Sequence, residues 1–337
     1  MKTIVYIGNK MNDDKKSNLS SIDLLSTLFT KNGFQVYSAS HKSNIFIRLI
    51  HMLWTCFKFR NKADYVLIDT YSTLNFYYAY FVSSLCRIFK MKYIPILHGG
   101  NLPYRLITTP SLSRAIFNNA YINIAPNLYI ESKFEASGYT NINCIPNSIE
   151  LNNYVFKERT FDKVKLLWVR SFSKIYNPLL AIKVLKGLKD INIDAELCMV
   201  GPDNDGSMQE AMNYAKELKV EVIFTGKLSK QEWIEKSKDY NIFINTTHFD
   251  NMPVSVIEAM ALGLPVISTN VGGIPYLIED SLTGILVEPN SEKVFIKAIQ
   301  GLLNSPKESN VMAINARKKV EQLDWNIIKN QWNKVLK

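Results

Sequence analysis

The segment Thr246–Pro275, TTHFDNMPVSVIEAMALGLPVISTNVGGIP, holds the densest set of residue types that could do chemistry. Asp250 and Glu258 are separated by seven residues. Between them, Pro253 suits a first helical turn, and Val254–Leu262 reads as a short helix that Gly263 ends and Pro265 cannot continue. Such a start leaves unpaired backbone N–H groups over Asn251, Met252, Pro253, Val254 and Ser255, a cradle for an anion that the helix dipole reinforces. A carboxylate beside that cradle would repel a phosphate. Asp250 and Glu258 are better used on hydroxyl groups, which donate to carboxylates, such as those of a sugar or a ribose.

Positive charge is available at a second place. The strand reaching Val169 is followed by Arg170 and then Lys174, two cations in one loop at a strand's C-terminal end. A nucleoside diphosphate gains charge when its bond to a sugar breaks, and Arg with Lys compensates it without a metal. Val200-Gly201-Pro202 and Gly226-Lys227-Leu228 mark tight turns after the next two strands. In the first half, Ile96-Leu97-His98-Gly99-Gly100 closes a strand with a histidine beside backbone that a ligand can approach closely. Gly8 and Asn9 follow the first strand. Asp203-Asn204-Asp205 has the form of a metal-binding DxD, but a run of Asp, Asn and Gly reads first as a turn. His41, His51 and His248 have no metal-site spacing. No metal or other cofactor is expected.

Two sets of elements must position these residues. The 337 residues, at roughly 150 per domain, give two domains. Both halves alternate short β-rich runs with helical patterns, the rhythm of parallel α/β sheets. Strands are expected at Thr3–Ile7, Gln35–Ala39, Tyr65–Asp69, Tyr93–Leu97, Tyr121–Ala125 and Ile142–Ile145, then at Val164–Val169, Ala195–Val200, Val222–Thr225, Ile242–Thr246, Pro265–Ser268 and Gly284–Val287. A helix over Ser17–Asn32 stops at Gly33. Asn177-Pro178 starts another with a capping residue, and Ser229 with Glu232 forms a capping box for the next. Asn147–Asp162 is polar with few apolar anchors and reads as the linker. The expected organisation is a first doubly wound domain over residues 1–155, a second over 156–320, and closing helices over 321–337, with Trp325 and Trp332, that return to the first. Ligands of such sheets bind at the C-terminal strand ends, so a cleft between the two domains is expected to hold the site.

The acid, seven residues, Glu, then AMALGLPVIST and VGGIP resembles the retaining glycosyltransferases of family 4, with the GT-B fold: two Rossmann-like domains facing a central cleft. The likeness runs through most of residues 160–325 and more loosely through the first half. Asp250-Asn251-Met252 stands where the family usually has Glu-Gly-Phe, and Tyr276 where a Glu often follows GG-x-P. The resemblance implies that Arg170 and Lys174 bind the donor diphosphate and that Gly201, Lys227 and Leu228 border the nucleotide. It further implies that His98 contacts the donor sugar, and that Gly8, Asn9, Gly99 and Gly100 form the acceptor side. Asp250 then holds sugar hydroxyls and Glu258 the ribose. It implies a metal-independent, front-face displacement in which a donor phosphate oxygen takes the acceptor proton. The substrates would be a nucleoside diphosphate sugar and a glycan or lipid-linked acceptor of polysaccharide or cell-envelope assembly. A nucleotide-sugar epimerase or a phosphorylase of the same fold is the nearest rival.

Composition narrows the classes. Hydrophobic residues make up 47% and charged residues 21%, which excludes a mainly disordered chain. Residues 1–160 carry 18 Lys or Arg against 9 Asp or Glu, and these hold almost the whole formal charge of +10. A basic half attracts nucleic acid, anionic lipid or a phosphorylated substrate, but no aromatic-basic stacking motif supports nucleic acid. Cys56, Cys86, Cys144 and Cys198 form no CxxC pair and read as reduced thiols of a cytoplasmic protein. The N-terminus lacks the apolar length of a signal peptide. Thr70–Cys86 is uncharged save that it is too rich in Tyr, Ser, Thr and Asn for a span, and reads as a buried helix. Over Ser43–Lys62, Ile45, Phe46, Leu49, Leu53, Trp54 and Phe57 fall near one helical face among Arg48, Lys58, Arg60 and Lys62. That helix either lies on an anionic membrane surface at the cytoplasmic face or packs on its own sheet.

Overall fold

The computed structural model describes residues 1–9 and 21–337. The chain divides into two units, Met1–Pro146 with Ile328–Lys337, and Asn147–Ile327. The first runs β1 (Thr3–Ile7), α1 (Ser21–Lys31), β2 (Gln35–Ala39), α2 (Ile45–Phe59), β3 (Tyr65–Thr70), α3 (Asn75–Ile88), β4 (Tyr93–Leu97), α4 (Leu102–Thr108), α5 (Pro110–Phe117), β5 (Asn123–Ala125), α6 (Leu128–Ala136) and β6 (Ile142–Cys144). Residues 17–20 of the helix expected from Ser17 lie outside the described residues.

The second runs β7 (Val164–Val169), α7 (Pro178–Asp190), β8 (Ala195–Val200), α8 (Ser207–Glu217), β9 (Ile223–Gly226), α9 (Lys230–Ser237), β10 (Ile242–Asn245), α10 (Val254–Ala261), β11 (Val266–Thr269), α11 (Ile274–Leu277), β12 (Ile285–Val287), α12 (Glu292–Asn304), α13 (Pro306–Glu321) and α14 (Trp325–Val335). The last helix crosses the division. Its Trp332 meets the ring of Phe29 edge-on at 5.2 Å in the first unit, while the Trp325 N–H donates to Ile149 O in the second.

Each unit is one six-stranded parallel sheet, in the order β2-β1-β3-β4-β5-β6 and β12-β11-β10-β7-β8-β9. The strands read as continuous apolar runs because helices cover both faces; β1 and β3, for example, are buried throughout. Strand order reverses between β1 and β3 in the first sheet and between β7 and β10 in the second. At such a switch point the helices on either side depart in opposite directions. The loops beyond the C-terminal strand ends there flank a crevice. Gly8 lies in such a loop and Asp69 at the end of β3 in one unit, and Arg170 and Thr246–Asp250 lie in such loops in the other.

Three local expectations are refined. The polar segment 147–162, expected as the linker, begins at the division between the units and is anchored to the second. Ile149 and Tyr154 are buried in the second unit's core, and the buried Arg159 donates to the carbonyls of Ser237, Tyr240 and Leu262. Its few apolar side chains anchor it because one buried guanidinium satisfies the carbonyls at the ends of two helices. Asn177 stands at the N-cap of α7 ahead of Pro178, as expected, but with φ 48° its side chain makes no capping bond, and its amide donates to Asn290 Oδ1 at 3.1 Å. Thr70–Cys86 is not one buried helix: Thr70 ends β3, α3 starts at Asn75, and its Tyr77 and Phe81 are exposed.

Candidate active site

In the second unit the sheet rim is built by tight backbone approach. Gly201 follows β8 with φ 153°, and a Cβ there would lie 1.8 Å from Arg170 O. Only glycine lets the β8 turn pass under Arg170. The Gly201 N–H donates to Gly226 O at 2.9 Å, so the three loops after β7, β8 and β9 are tied in sequence.

Arg170 leaves β7 and forms a close ion pair through Nη2 with Asp250 Oδ2. Its guanidinium also lies 4.0 Å from the ring centroid of Tyr176. Asp250 is in turn held by the Asn251 N–H, which donates to Oδ1 at 2.7 Å. Lys174 opens a short 3-10 turn over Lys174–Tyr176. Three bonds stitch that turn to the residues after β10: Thr246 Oγ1 to Tyr176 O at 2.9 Å, Thr247 Oγ1 to Ile175 O at 3.1 Å, and the His248 N–H to Ile175 O at 2.8 Å. The two cationic and acidic loops are thereby one piece of structure. The exposed Lys174 ammonium has no ion-pair partner among the described residues.

Helix α10 begins after Pro253, whose side chain caps nothing. The expected row of free N–H groups is shorter than residues 251–255. Asn251 is committed to Asp250, and Pro253 has no N–H. Val254 and Ser255 keep theirs without a partner among the described residues, and Ser255 Oγ is buried without one. The Met252 carbonyl accepts from Asn147 Nδ2 at 2.9 Å, which fixes the loop. Glu258, 3% exposed, accepts from Tyr154 Oη at 2.7 Å and pairs closely with Lys230 through the same Oε1. Burial first, then the carboxylate charge, pushes the Tyr154 phenol far above its ordinary range, so it stays a donor. Lys227 and Leu228 are half-buried beyond β9, with Leu228 packed on the core beneath α10.

Asp203 and Asp205 serve local structure. Asp203 Oδ1 accepts from the Gly206 N–H at 2.9 Å. Asp205 accepts from Ser207, from Ser173 Oγ at 2.8 Å and from the Lys174 N–H at 3.1 Å. These bonds, the Ser207 hydroxyl's foremost, hold its pKa down at about 2.

In the first unit His98 follows β4 and its Nε2 lies 2.9 Å from Asp69 Oδ1, which also accepts from Tyr6 Oη at 2.8 Å. His98 is stacked on Tyr71 with centroids 5.7 Å apart. A Cβ on Gly8 would meet Asp69 Oδ2 at 2.4 Å, so the glycine makes room for the carboxylate. The Gly99 N–H donates to Thr70 O at 3.1 Å and Gly100 continues the turn. Asn9 has a buried Oδ1 without a partner.

The structure thus brings Arg170 to Asp250, sets Lys174 on the adjoining turn, and places Glu258 in a separate pair with Lys230. Asp69, Tyr6, Tyr154, Lys230 and Asn147 were not anticipated. Two had a signal in the chain. Asp69 is an acid ending an apolar strand, and Lys230 is a cation at a helix start, where the dipole disfavours it. Among the described residues no group of three or more His, Cys, Asp or Glu could hold a metal ion.

The family described as glycosyl transferases group 1 matches residues 153–319. That stretch belongs to the glycosyl transferases group 1 family. It spans β7 to α13 and contains Arg170, Lys174, Asp250 and Glu258. The chain is 27% identical over 205 residues to UDP-Gal:alpha-D-GlcNAc-diphosphoundecaprenol alpha-1,3-galactosyltransferase of Escherichia coli, covering 56% of this chain and 51% of that one. It spans about half or less of the curated relatives it matches. Among solved structures, sucrose-phosphate synthase of Thermosynechococcus elongatus superposes with a TM-score of 0.83 at 16% identity, covering 99% of this chain and 98% of that one. Anabaena Alr3699/HepE in complex with UDP-glucose superposes with a TM-score of 0.82 at 14% identity, covering 100% and 99%. The fold is GT-B, as the motif implied.

Proposed function

We propose that this protein is a retaining, metal-independent glycosyltransferase that moves a sugar from a nucleoside diphosphate sugar to a hydroxyl of a lipid-linked or cell-surface glycan. The observation that carries the reading is the second unit's switch point. There Arg170, paired with Asp250, and the unpartnered Lys174 lie on one stitched rim with the free N–H groups of Val254 and Ser255.

In this reading the diphosphate is received by Arg170, Lys174 and the start of α10, Asp250 accepts from donor sugar hydroxyls, and Glu258 accepts from the ribose. Gly201, Lys227 and Leu228 border the base. The anomeric C–O bond to the diphosphate breaks and the acceptor oxygen bonds to the same face. The acceptor's proton passes to the departing phosphate oxygen. Cations poised before the reaction stabilise that leaving charge without reorganising. The carboxylates of the DxD are already spent on turn and helix-end N–H groups, and Arg with Lys provides the positive charge, which supports chemistry without a metal. The reading also assigns His98, held by Asp69, to sugar hydroxyls of the donor, and Gly8, Asn9, Gly99 and Gly100 to the acceptor. The name of the Escherichia coli relative supports a lipid diphosphate as acceptor and, with it, a place at the cytoplasmic membrane face. Among the described residues no helix is long and apolar enough to cross a membrane.

Thermal shift against UDP, GDP, ADP and their sugars, followed by product analysis of the best donor with a lipid-linked acceptor, tests the reading. A raised melting point with one nucleotide and a product of unchanged anomeric configuration are expected. An inverted product, turnover abolished by a chelator, or a donor changed without any acceptor would overturn it.

A further inference from the structure

The first unit carries an apolar surface that its own core leaves uncovered. On α2 the core takes Met52, Thr55 and Cys56, with Leu49 and Leu53 partly buried against it. Leu49 and Leu53, which the sequence pattern groups with the exposed residues, therefore belong to the inward face. The outward face is no less apolar: Phe46 is 74% exposed, Ile50 66%, Trp54 54% and Phe57 46%. Their spacing of four, four and three residues makes one stripe along the helix. Helix α3 packs beside α2 on the same core and repeats the pattern, with Tyr77, Phe81 and Ile88 exposed, as is Leu74 at its N-cap. The rings of Phe57 and Phe89 join the two helices at 5.8 Å. A monomer gains nothing from displaying two neighbouring stripes of this kind to water.

The charge around the stripes is of one sign. Residues 40–130 contain ten Lys or Arg and two acids, Asp64 and Asp69. Asp69 is buried in the hydrogen bonds described above, and Asp64 Oδ2 accepts from the Thr3 N–H at 2.7 Å. Lys58 Nζ lies 5.1 Å from the Trp54 ring centroid and the Arg60 guanidinium 4.2 Å from that of Phe57. Lys62, Arg87 and Lys90 are exposed at the same ends of the two helices. Cations standing over exposed aromatic rings suit an interface that offers hydrocarbon below and anionic phosphate at the level of the cations. Nucleic acid would use the charge but not the aliphatic stripe.

We propose that the outward faces of α2 and α3 dock this protein on an anionic bilayer, with Phe46, Ile50, Trp54, Phe57, Phe81 and Ile88 in the headgroup–acyl boundary. Neither helix spans the membrane. The proposal deepens the reading of a lipid-linked acceptor and rests on it for its purpose. Its test uses no donor or acceptor, so either can fail alone.

The full chain is mixed with phosphatidylglycerol–phosphatidylcholine vesicles, and with phosphatidylcholine alone, and sedimented at low and high salt. Co-sedimentation with the anionic vesicles, weakened by salt, is expected. The other four tryptophans are buried, so a blue shift of emission on binding reports Trp54 and disappears in Trp54→Phe. Ile50→Glu, at an exposed position that leaves the melting point unchanged, weakens binding at least about tenfold. Lys58→Gln weakens it about fivefold, the ~1 kcal/mol of one basic side chain at such a surface. Failure to sediment at low salt, equal binding by Ile50→Glu, or a dimer that Ile50→Glu dissociates while vesicles are ignored would each overturn the proposal, the last assigning the face to a second copy.

Discussion

Glu258 separates two roles that the sequence merges. Its carboxylate is almost wholly buried, yet it serves the fold through Tyr154 and Lys230 and, in the proposed function, the ribose. Glu258→Ala removes the acceptor of a buried phenol, and an unsatisfied buried donor costs about 1–3 kcal/mol. The pair with the partly exposed Lys230 adds about 0–1 kcal/mol. A loss of about 3 kcal/mol lowers the melting point of a unit this size by roughly 6–12 °C. Glu258→Gln keeps an oxygen for Tyr154 and loses only the charge. Neutral acceptors are weaker than charged ones by about 1 kcal/mol, so the melting point falls by roughly 2–4 °C. Both variants lose the charged acceptor for ribose hydroxyls, worth about tenfold in Kd. Calorimetric melting without nucleotide, and titration calorimetry with the nucleotide that raises the wild-type melting point, read the two effects apart. If Glu258→Ala melts within about 2 °C of wild type, the buried hydrogen bond does not carry the stability argued here. Glu258→Gln with wild-type nucleotide affinity would remove the residue from the donor site.

Other outcomes follow from the same geometry. Lys174→Ala should lower kcat about a hundredfold with little change in melting point, as for one lost transition-state donor on an exposed side chain; near-normal turnover in a steady-state assay excludes it from the site. Gly201→Ala forces a Cβ into the Arg170 carbonyl and should destabilise by about 3 kcal/mol, measured by urea titration. Asp69→Asn disturbs the acceptor of both His98 and Tyr6. It should slow turnover about tenfold in the wild-type background and have little further effect on turnover in His98→Ala, the non-additivity expected of a positioning residue.

The strands and the loops that follow them were legible because buried parallel strands are apolar without interruption and their ends are punctuated by glycine. Observed boundaries differ by one or two residues, as at β5, where Tyr121 and Ile122 precede the ladder. The candidate site was half legible. Arg170, Lys174, Asp250 and Glu258 announce themselves by charge at strand and helix ends. Their partners do not. Asp250 looked free to take hydroxyls and is paired to a cation 80 residues earlier; Glu258 is held by Tyr154, 104 residues earlier, and by Lys230, 28 residues earlier. The polar composition of the segment 147–162 matches its many exposed side chains, but not the anchoring of Ile149, Tyr154 and Arg159 in the second unit, which only the fold reveals.

Local order in this chain, then, was set by residue type and period: the βα rhythm, the proline-started helix α10, the glycine turns and the basic first half. Tertiary structure alone decided which charges meet and which apolar residues stay in water. An amphipathic period gives a helix an inner face only if its outer face is polar. On α2 both faces are apolar, so the sheet beneath the helix, and not the sequence along it, determined that Leu49 and Leu53 turn inward while Phe46, Ile50 and Trp54 remain outside.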